Sequence, residues 1–383
     1  MNVLHIASWY PHSKDPFDGD FIERHLKALS LHLPVHVIHV VQKFHLSENE
    51  TARTEYKTDG ALTAEIHFVP LPGIKNLFLQ KLLFTRRYNA ALKKAIETYI
   101  QRKGKPDLVH VHVPVKAGYG ALWMKRKWGV PYVVTEHSSA YYDHIDENYF
   151  EGSGYFKQIT RRSFRQAVAV SSVSQWLLKR LQELFNINST KLIRNTVDTN
   201  QFYPHPVQNE RKRFIHVSMM MPLKNTEGIV KALHLLLQKS SDWEFVFVGP
   251  APDHLKQAAA SLSTRVRFTG ALSYTEVAAE MRQADALVHF SRYENLPCVV
   301  NEALCCGLAV IASDVGGINE LVHDGNGLLV PDNNSQALAD AMLYYLQHTG
   351  NYNRTAISNE ASVFSYYSVG LQLKEMYEQL LRK

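Results

Sequence analysis

Apolar and polar positions along the chain alternate in blocks. Continuous apolar runs at 3–7, 35–41, 66–71, 108–113, 132–135 and 167–173 read as strands covered on both faces, and 191–193 closes the series. Phe21, Ile22, Leu26 and Leu29 recur at helical spacing and predict a helix over 21–31. Ser174 is placed to cap a helix over 175–185. Residues 42–65 are polar and predict a loop or short hairpin. A turn-rich segment, 195–204, and a polar run, 205–213, then interrupt the alternation. It restarts with apolar runs at 214–218, 244–248, 266–269, 286–290, 308–313 and 328–330. Strands alternating with helices, joined by right-handed crossovers, predict parallel sheets. The expected fold class is therefore α/β, two Rossmann-like domains facing each other across a cleft. The first spans 1–203 and the second 204–363. A C-terminal helix over 364–383 is expected to pack back on the first, through Leu371, Met376, Leu380 and Leu381.

The densest chemistry lies at 294–317. Glu294 falls in the loop after an apolar strand, and 297–306 reads as a short helix with Pro297 in its first turn and Gly307 at its end. Glu302 falls inside that helix. Two carboxylates so placed can face one pocket, and carboxylates that accept from several hydroxyls suit a sugar or a ribose. The helix N-terminus presents unpaired N–H groups and a partial positive charge, which suits a phosphate. Isolated glutamates would more simply be solvated. The flanking Gly316-Gly317-Ile-Asn-Glu320 and the segment 324–331 favour the pocket.

Three other loops follow strand C-terminal ends, where doubly wound sheets bind ligands. The loop after the first strand carries Gly19, which permits close backbone approach, although a plain turn explains it equally well. Thr135-Glu136-His137 ends another strand. Lys224 and Asn225 precede a helix, and Lys224 is a reasonable phosphate ligand. Each has an ordinary reading alone; a cleft that gathers all four loops is the stronger argument.

Composition narrows the choices. No apolar stretch of about 18 residues exists, so no membrane span is expected. The N-terminus lacks a basic n-region and reads as a first strand, which points to the cytoplasm. Cys298, Cys305 and Cys306 read as small buried thiols. His110 and His112 share a strand face, but spacing places no third ligand, so no metal is expected. A net charge of +6 suits anionic company, phosphates or a membrane surface, and no nucleic-acid motif appears. Within 75–88, Lys75, Lys81, Arg86 and Arg87 interleave with Phe78, Leu79, Leu82, Leu83 and Phe84. This reads either as a core helix with solvated cations or as a surface resting on anionic lipid.

These motifs resemble glycosyltransferase family 4, the group 1 glycosyltransferases of the GT-B fold. The resemblance is strongest over 195–204 and 285–331. It implies a retaining, metal-independent hexosyltransferase without a cofactor. Such an enzyme moves a sugar from a nucleotide-sugar donor to a glycan or lipid-linked acceptor in polysaccharide or lipopolysaccharide biosynthesis. It implies Glu294 on hydroxyls of the transferred sugar, helped by Asn295, Leu296 and Pro297, and Glu302 on the ribose. Lys224, Asn225 and the Gly19 loop would meet the diphosphate, and His137 would lie beside the donor sugar and the attacking hydroxyl. Met219 stands where many relatives carry Arg, and Asn295 where Gly or Ser is usual; phosphate binding would then lean on Lys224. The competing readings are another GT-B enzyme such as a nucleotide-sugar epimerase, a glycoside hydrolase using Glu294 and Glu302, and a non-catalytic two-domain binding protein.

Overall fold

The computed structural model describes residues 1–47, 50–142, 148–207 and 209–382. The chain forms two compact units, Met1–Arg194 with Tyr366–Lys383, and Asn195–Ser365.

The first unit is built on an eight-stranded sheet. Its strands are β1 (Val3–Ala7), β2 (Val35–Val40), β3 (Arg53–Asp59), β4 (Leu62–Phe68), β5 (Leu108–His112), β6 (Tyr132–Glu136), β7 (Ala169–Ser172) and β8 (Thr190–Leu192), in the order β3-β4-β2-β1-β5-β6-β7-β8. Every pairing is parallel except β3 with β4. That hairpin resolves the expected loop or hairpin at 42–65. It has no apolar run to announce it, because β3 is an edge strand with Thr54, Tyr56, Lys57, Thr58 and Asp59 exposed. The strand expected at 66–71 begins at Leu62 and ends at Phe68, where Pro70 and Pro72 follow. Thr63 and Glu65 interrupt its apolar run, so the eye starts it too late.

Alternation along β1 sends Leu4 and Ile6 to one face and Val3 and Ala7 to the other. The first face is covered by the helices Leu77–Lys103 and Pro114–Trp128 through Leu92, Ile96 and Met124. The second is covered by Asp20–Ser30 and by the C-terminal helix Tyr366–Leu381. Val369, Leu373, Met376 and Tyr377 make the latter contact. Of the four residues expected there, Met376 is buried, whereas Leu371 and Leu380 are half-buried and Leu381 is exposed. A Cβ at Gly370 would lie 2.1 Å from the Ala28 carbonyl oxygen, so glycine sets how closely these helices cross.

The helix expected near 75–88 runs much further, Leu77–Lys103, capped by Asn76, whose side chain accepts from the Leu79 N–H. Its two ends differ in burial. Phe84, Tyr88, Leu92 and Ile96 are core, whereas Leu77, Phe78, Leu79 and Leu82 are exposed.

The second unit has a six-stranded sheet, all parallel. Its strands are β9 (Lys212–Val217), β10 (Trp243–Val248), β11 (Val266–Phe268), β12 (Ala286–His289), β13 (Ala309–Ser313) and β14 (Gly327–Val330), ordered β11-β10-β9-β12-β13-β14. Phe214, Trp243, Phe245, Phe247 and Ile311 centre its core. Thr196 Oγ1 donates to the Phe364 carbonyl at 3.1 Å, and the Val197 N–H does so at 2.8 Å.

Inside the first unit, histidines replace aliphatic residues at one level of the sheet. The His5 and His112 rings approach at 3.2 Å. His110 lies 2.5 Å from Tyr377 Oη and 2.6 Å from Thr135 Oγ1. Burial, reinforced by the neighbouring imidazoles, lowers the pKa of His5 to about 3 and holds His110 and His112 well below the ordinary histidine value. These groups stay neutral in the fold but take up protons in the unfolded chain below about pH 6.5. Their contribution is thus intact above that pH and is lost as pH falls, by up to about 1.4 kcal/mol per group per pH unit. The thermal midpoint is expected to drop between about pH 7 and pH 5, and to drop less steeply in His5→Gln; equal slopes in the two proteins would contradict this origin.

Candidate functional site

Glu294 follows β12 in a loop held from three sides. The Gly317 N–H donates to the Asn295 carbonyl at 2.9 Å. Asn195 Nδ2 donates to the Leu296 carbonyl at 2.8 Å, and Asn301 Nδ2 donates to the Asn195 carbonyl at 3.0 Å. Gly316, at φ +57°, packs so tightly that a Cβ there would lie 1.7 Å from the Glu294 carbonyl oxygen. That close approach is the physical reason for glycine at 316.

Glu294 is 8 % exposed, and both cationic or N–H partners of its carboxylate meet Oε1. Lys224 Nζ is 2.5 Å away and His289 Nε2 is 2.8 Å away. Oε2 has no hydrogen-bond partner among the described residues. Burial alone would raise the pKa of this carboxyl. The Lys224 charge, then His289 and the two hydrogen bonds, outweigh it and hold the group ionised well below the usual carboxylate range. Ser291 Oγ lies 3.2 Å from His289 Nε2, and Ser313 Oγ donates to the Ser291 carbonyl at 2.5 Å.

The helix after this loop is Cys298–Cys305, with Pro297 as its N-cap rather than inside its first turn. Asn295, Leu296 and Pro297 are buried, and Cys298 and Val299 are half-buried. Glu302 is buried in the middle of the helix. Burial, with the Glu302 charge, pushes the Cys306 thiol up to about 12. The cysteines are free thiols.

Lys224 ends a short 3-10 turn, Pro222–Lys224, and Asn225 follows in the left-handed region at φ 49° as the cap of the helix Thr226–Leu237. Its side chain lies over Gly228, where a Cβ would come within 2.7 Å. Asn225 is thus buried as a turn residue while Lys224 reaches Glu294. The Arg292 N–H donates to the Leu223 carbonyl at 2.9 Å, which ties the two loops together. Met219 is exposed.

Gly19 and His137 belong to the first unit. Gly19, at φ 64°, caps Asp20–Ser30, and a Cβ on it would meet Trp9 at 2.7 Å. The His137 ring packs 4.8 Å from Phe21 and 5.1 Å from His25. Beside it, Glu136 Oε1 accepts the N–H groups of His137 and Ser138, each at 2.8 Å, and Oε2 accepts Tyr141 Oη at 2.6 Å. Burial raises the Glu136 carboxyl to about 7 despite those three donors.

The second unit therefore brings Lys224, Asn225, Glu294, Asn295, Leu296, Pro297 and Glu302 onto adjoining loops and the helices that follow them, and in the first unit His137 packs on the helix that Gly19 caps. His289, Glu136 and Asn195 were not among the candidate site residues that the sequence singled out. His289 lay inside an apolar run, where a histidine reads as core. Its position at the C-terminal end of β12, five residues before Glu294, was the available signal.

Comparison with known proteins places this arrangement. Residues 22–201 match the sequence model described as Glycosyltransferase Family 4, and residues 211–348 match that described as Glycosyl transferases group 1. The chain is 28 % identical over 367 residues, 90 % of its length and 89 % of the relative's, to TuaC of Bacillus subtilis (strain 168), described as a teichuronic acid biosynthesis glycosyltransferase. Among solved structures it resembles sucrose-phosphate synthase from Thermosynechococcus elongatus, with TM-score 0.74, 18 % identity and 100 % of both chains covered. It also resembles Anabaena Alr3699/HepE in complex with UDP, with TM-score 0.72, 20 % identity, and 99 % and 100 % of the two chains covered. The two sequence models together span most of the chain, which belongs to the family 4, group 1 glycosyltransferases of the GT-B fold.

Proposed function

We propose that this glycosyltransferase moves a sugar from a nucleoside diphosphate donor to a glycan or lipid-linked acceptor. Transfer retains the anomeric configuration and needs neither metal nor cofactor. The product belongs to a cell-surface polysaccharide or glycolipid. The observation that carries the reading is the division of labour on Glu294: Oε1 is taken by Lys224 and His289, and Oε2 is left over for a hydroxyl. An ionised, buried carboxylate with one unspent oxygen is a strong acceptor for a sugar hydroxyl. The relative named for teichuronic acid biosynthesis and the fold neighbour solved with UDP support the substrate classes.

In this scheme Lys224 serves two anions. It neutralises Glu294 in the resting chain and the donor's diphosphate when that binds. The diphosphate gains charge as the glycosidic bond breaks, so a preplaced ammonium stabilises the transition state more than the ground state. The acceptor hydroxyl forms the new bond to the anomeric carbon, and its proton passes to the departing diphosphate oxygen. Glu302 holds the ribose, the backbone at Asn295, Leu296 and Pro297 shapes the sugar site, and Asn225 with the Gly19 loop borders the phosphates. His137 lies at the attacking hydroxyl. Membership of a transferase family leaves the hydrolase and binding-protein readings without support.

The surface of the first unit suits an anionic membrane. Leu77, Phe78, Leu79 and Leu82 are exposed on the first turns of Leu77–Lys103, beside the exposed Lys75, Lys81, Arg86 and Arg87. No helix among the described residues is long and apolar enough to cross a membrane. The proposed contact is peripheral, at the cytoplasmic face, with apolar side chains in the headgroup boundary and cations on anionic lipid.

Glu294→Ala and Lys224→Ala are each expected to lower kcat/KM at least tenfold, about 1.4 kcal/mol of transition-state stabilisation; near-normal turnover in both would remove the proposed roles. In a thermal-shift screen of UDP, GDP and ADP sugars, the true donor at a hundred times its Kd adds about 2.7 kcal/mol of stability. Glu302→Ala should abolish most of that shift for the free nucleotide as well, and an unchanged nucleotide shift would count against a ribose contact. The triple variant Lys81→Glu, Arg86→Glu, Arg87→Glu should lose co-sedimentation with phosphatidylglycerol vesicles while keeping transfer to a soluble acceptor. Undiminished sedimentation rules the membrane surface out.

A further inference from the structure

A second cluster in the first unit has no part in the scheme above. His12 and Asp18 sit in the loop between β1 and the helix Asp20–Ser30, His39 sits near the end of β2, and His45 ends the 3-10 turn Lys43–His45. One donor atom from each of His12, Asp18 and His39 lies within 4.8 Å of the other two. His12 Nε2 is 3.7 Å from Asp18 Oδ2, and His45 Nε2 approaches the same oxygen from another direction at 3.6 Å. His12 Nε2, Asp18 Oδ2, His39 Nε2 and His45 Nε2 are all buried, and none has a hydrogen-bond partner among the described residues. Four unspent polar atoms turned toward one another are costly unless something satisfies them together.

We infer that His12, Asp18 and His39, with His45 beside Asp18, bind a divalent transition-metal ion, zinc by donor chemistry. Ligand atoms about 2.0–2.2 Å from one zinc at tetrahedral angles lie about 3.3–3.6 Å from each other, close to the spacings around Asp18. Imidazoles with one carboxylate are borderline donors that favour zinc over magnesium or calcium. His39 is already oriented for the task. Its Nδ1 lies 3.0 Å from the Ala7 carbonyl, to which it donates, and this leaves the Nε2 lone pair facing the cluster. Asp15 Oδ2 lies 3.7 Å from His45 Nδ1 and can steady that ring in the same way. His12 carries the cost. Its Nδ1 accepts the N–H groups of Lys14 at 3.2 Å and of Asp15 at 3.3 Å, so ligation through Nε2 moves the ring proton to Nδ1 and gives up both long contacts, while the Asp15 N–H keeps its bond to the His12 carbonyl at 3.1 Å. The other histidine cluster, His5, His110 and His112, does not support the same inference. It has no carboxylate, and both His110 nitrogens are spent on Tyr377 and Thr135.

The ion is structural. It ties the loop that ends in Gly19 to β2 and to the turn after it, and so sets where that loop presents its backbone. This site stands apart from metal-independent transfer, and its test does not depend on turnover.

The chain, purified on a tag without histidines, is dialysed against zinc, then against metal-free buffer, and its metal content is measured. Stoichiometric retained zinc is expected, with a thermal midpoint that falls on treatment with a chelator and returns with zinc. Cobalt exchanged into the wild-type chain should show the intense visible bands of a tetrahedral site, a readout that needs no variant to fold. Asp18→Asn and His39→Gln should each lose the zinc and the bands, with far-ultraviolet circular dichroism as the folding check, whereas His5→Gln keeps both. A wild-type chain that retains no zinc and shows no cobalt bands overturns the inference, as does one whose bands survive in folded Asp18→Asn and His39→Gln.

Discussion

A carboxylate that is nearly buried stays ionised only if opposite charge and N–H groups are brought to it, and the second unit is arranged to do this at Glu294. Lys224 comes from the loop after β9, His289 from the end of β12, and both meet the same oxygen. Removing either partner would leave a buried charge short of compensation, which costs more than the pair itself contributes. The constraint reaches outward. Glycine at 316, the Asn195–Leu296 and Asn301–Asn195 bonds and the Arg292–Leu223 contact all serve to hold the two loops at the separation this arrangement needs. A parallel sheet makes this possible, because every strand delivers its loop to the same edge.

The first unit handles buried polarity differently. Where the second concentrates it in one compensated carboxylate, the first spreads it over neutral imidazoles. His5, His110 and His112 exchange contacts with one another, with Tyr377 of the C-terminal helix and with Thr135. The last helix is thus attached by a polar contact as well as by Val369, Leu373 and Met376. Glu136 resembles Glu294 in burial but has only neutral donors, and burial dominates its pKa. Two glutamates at the ends of strands end up with opposite shifts because one has an ammonium beside it and the other does not.

Much of the architecture was legible because buried parallel strands read as unbroken apolar runs, and most strands of both sheets carry such runs. The failures share a cause. β3 is an edge strand with polar residues, β4 begins with alternating Thr63 and Glu65, and beside the expected Met376 and Leu380 the contacts of the last helix fell on Val369, Leu373 and Tyr377 rather than Leu371. In each case a partner outside the segment decides which residues are covered, and local pattern holds no record of that partner. At the candidate site, Glu294, Lys224 and Glu302 were visible as acids and a base in loops or helices after strands. His289 was not, because a histidine in an apolar run looks like core until its neighbour is known.

By itself the sequence determined the alternation of strand and helix, the two sheets, and the polar loops that follow their strands, since these depend on hydrophobic period and on glycine, proline and capping residues close by in the chain. Only the tertiary structure decided that Lys224 and Glu294, seventy residues apart, share one oxygen with His289. The same holds for the convergence of His12, Asp18, His39 and His45 and for the exposed apolar turns at Leu77–Leu79. The physical reason is range. Helical and strand periods are set by neighbours within a few residues, whereas the fate of a buried charge or an exposed apolar side chain is set by whatever the folded chain brings, or fails to bring, against it.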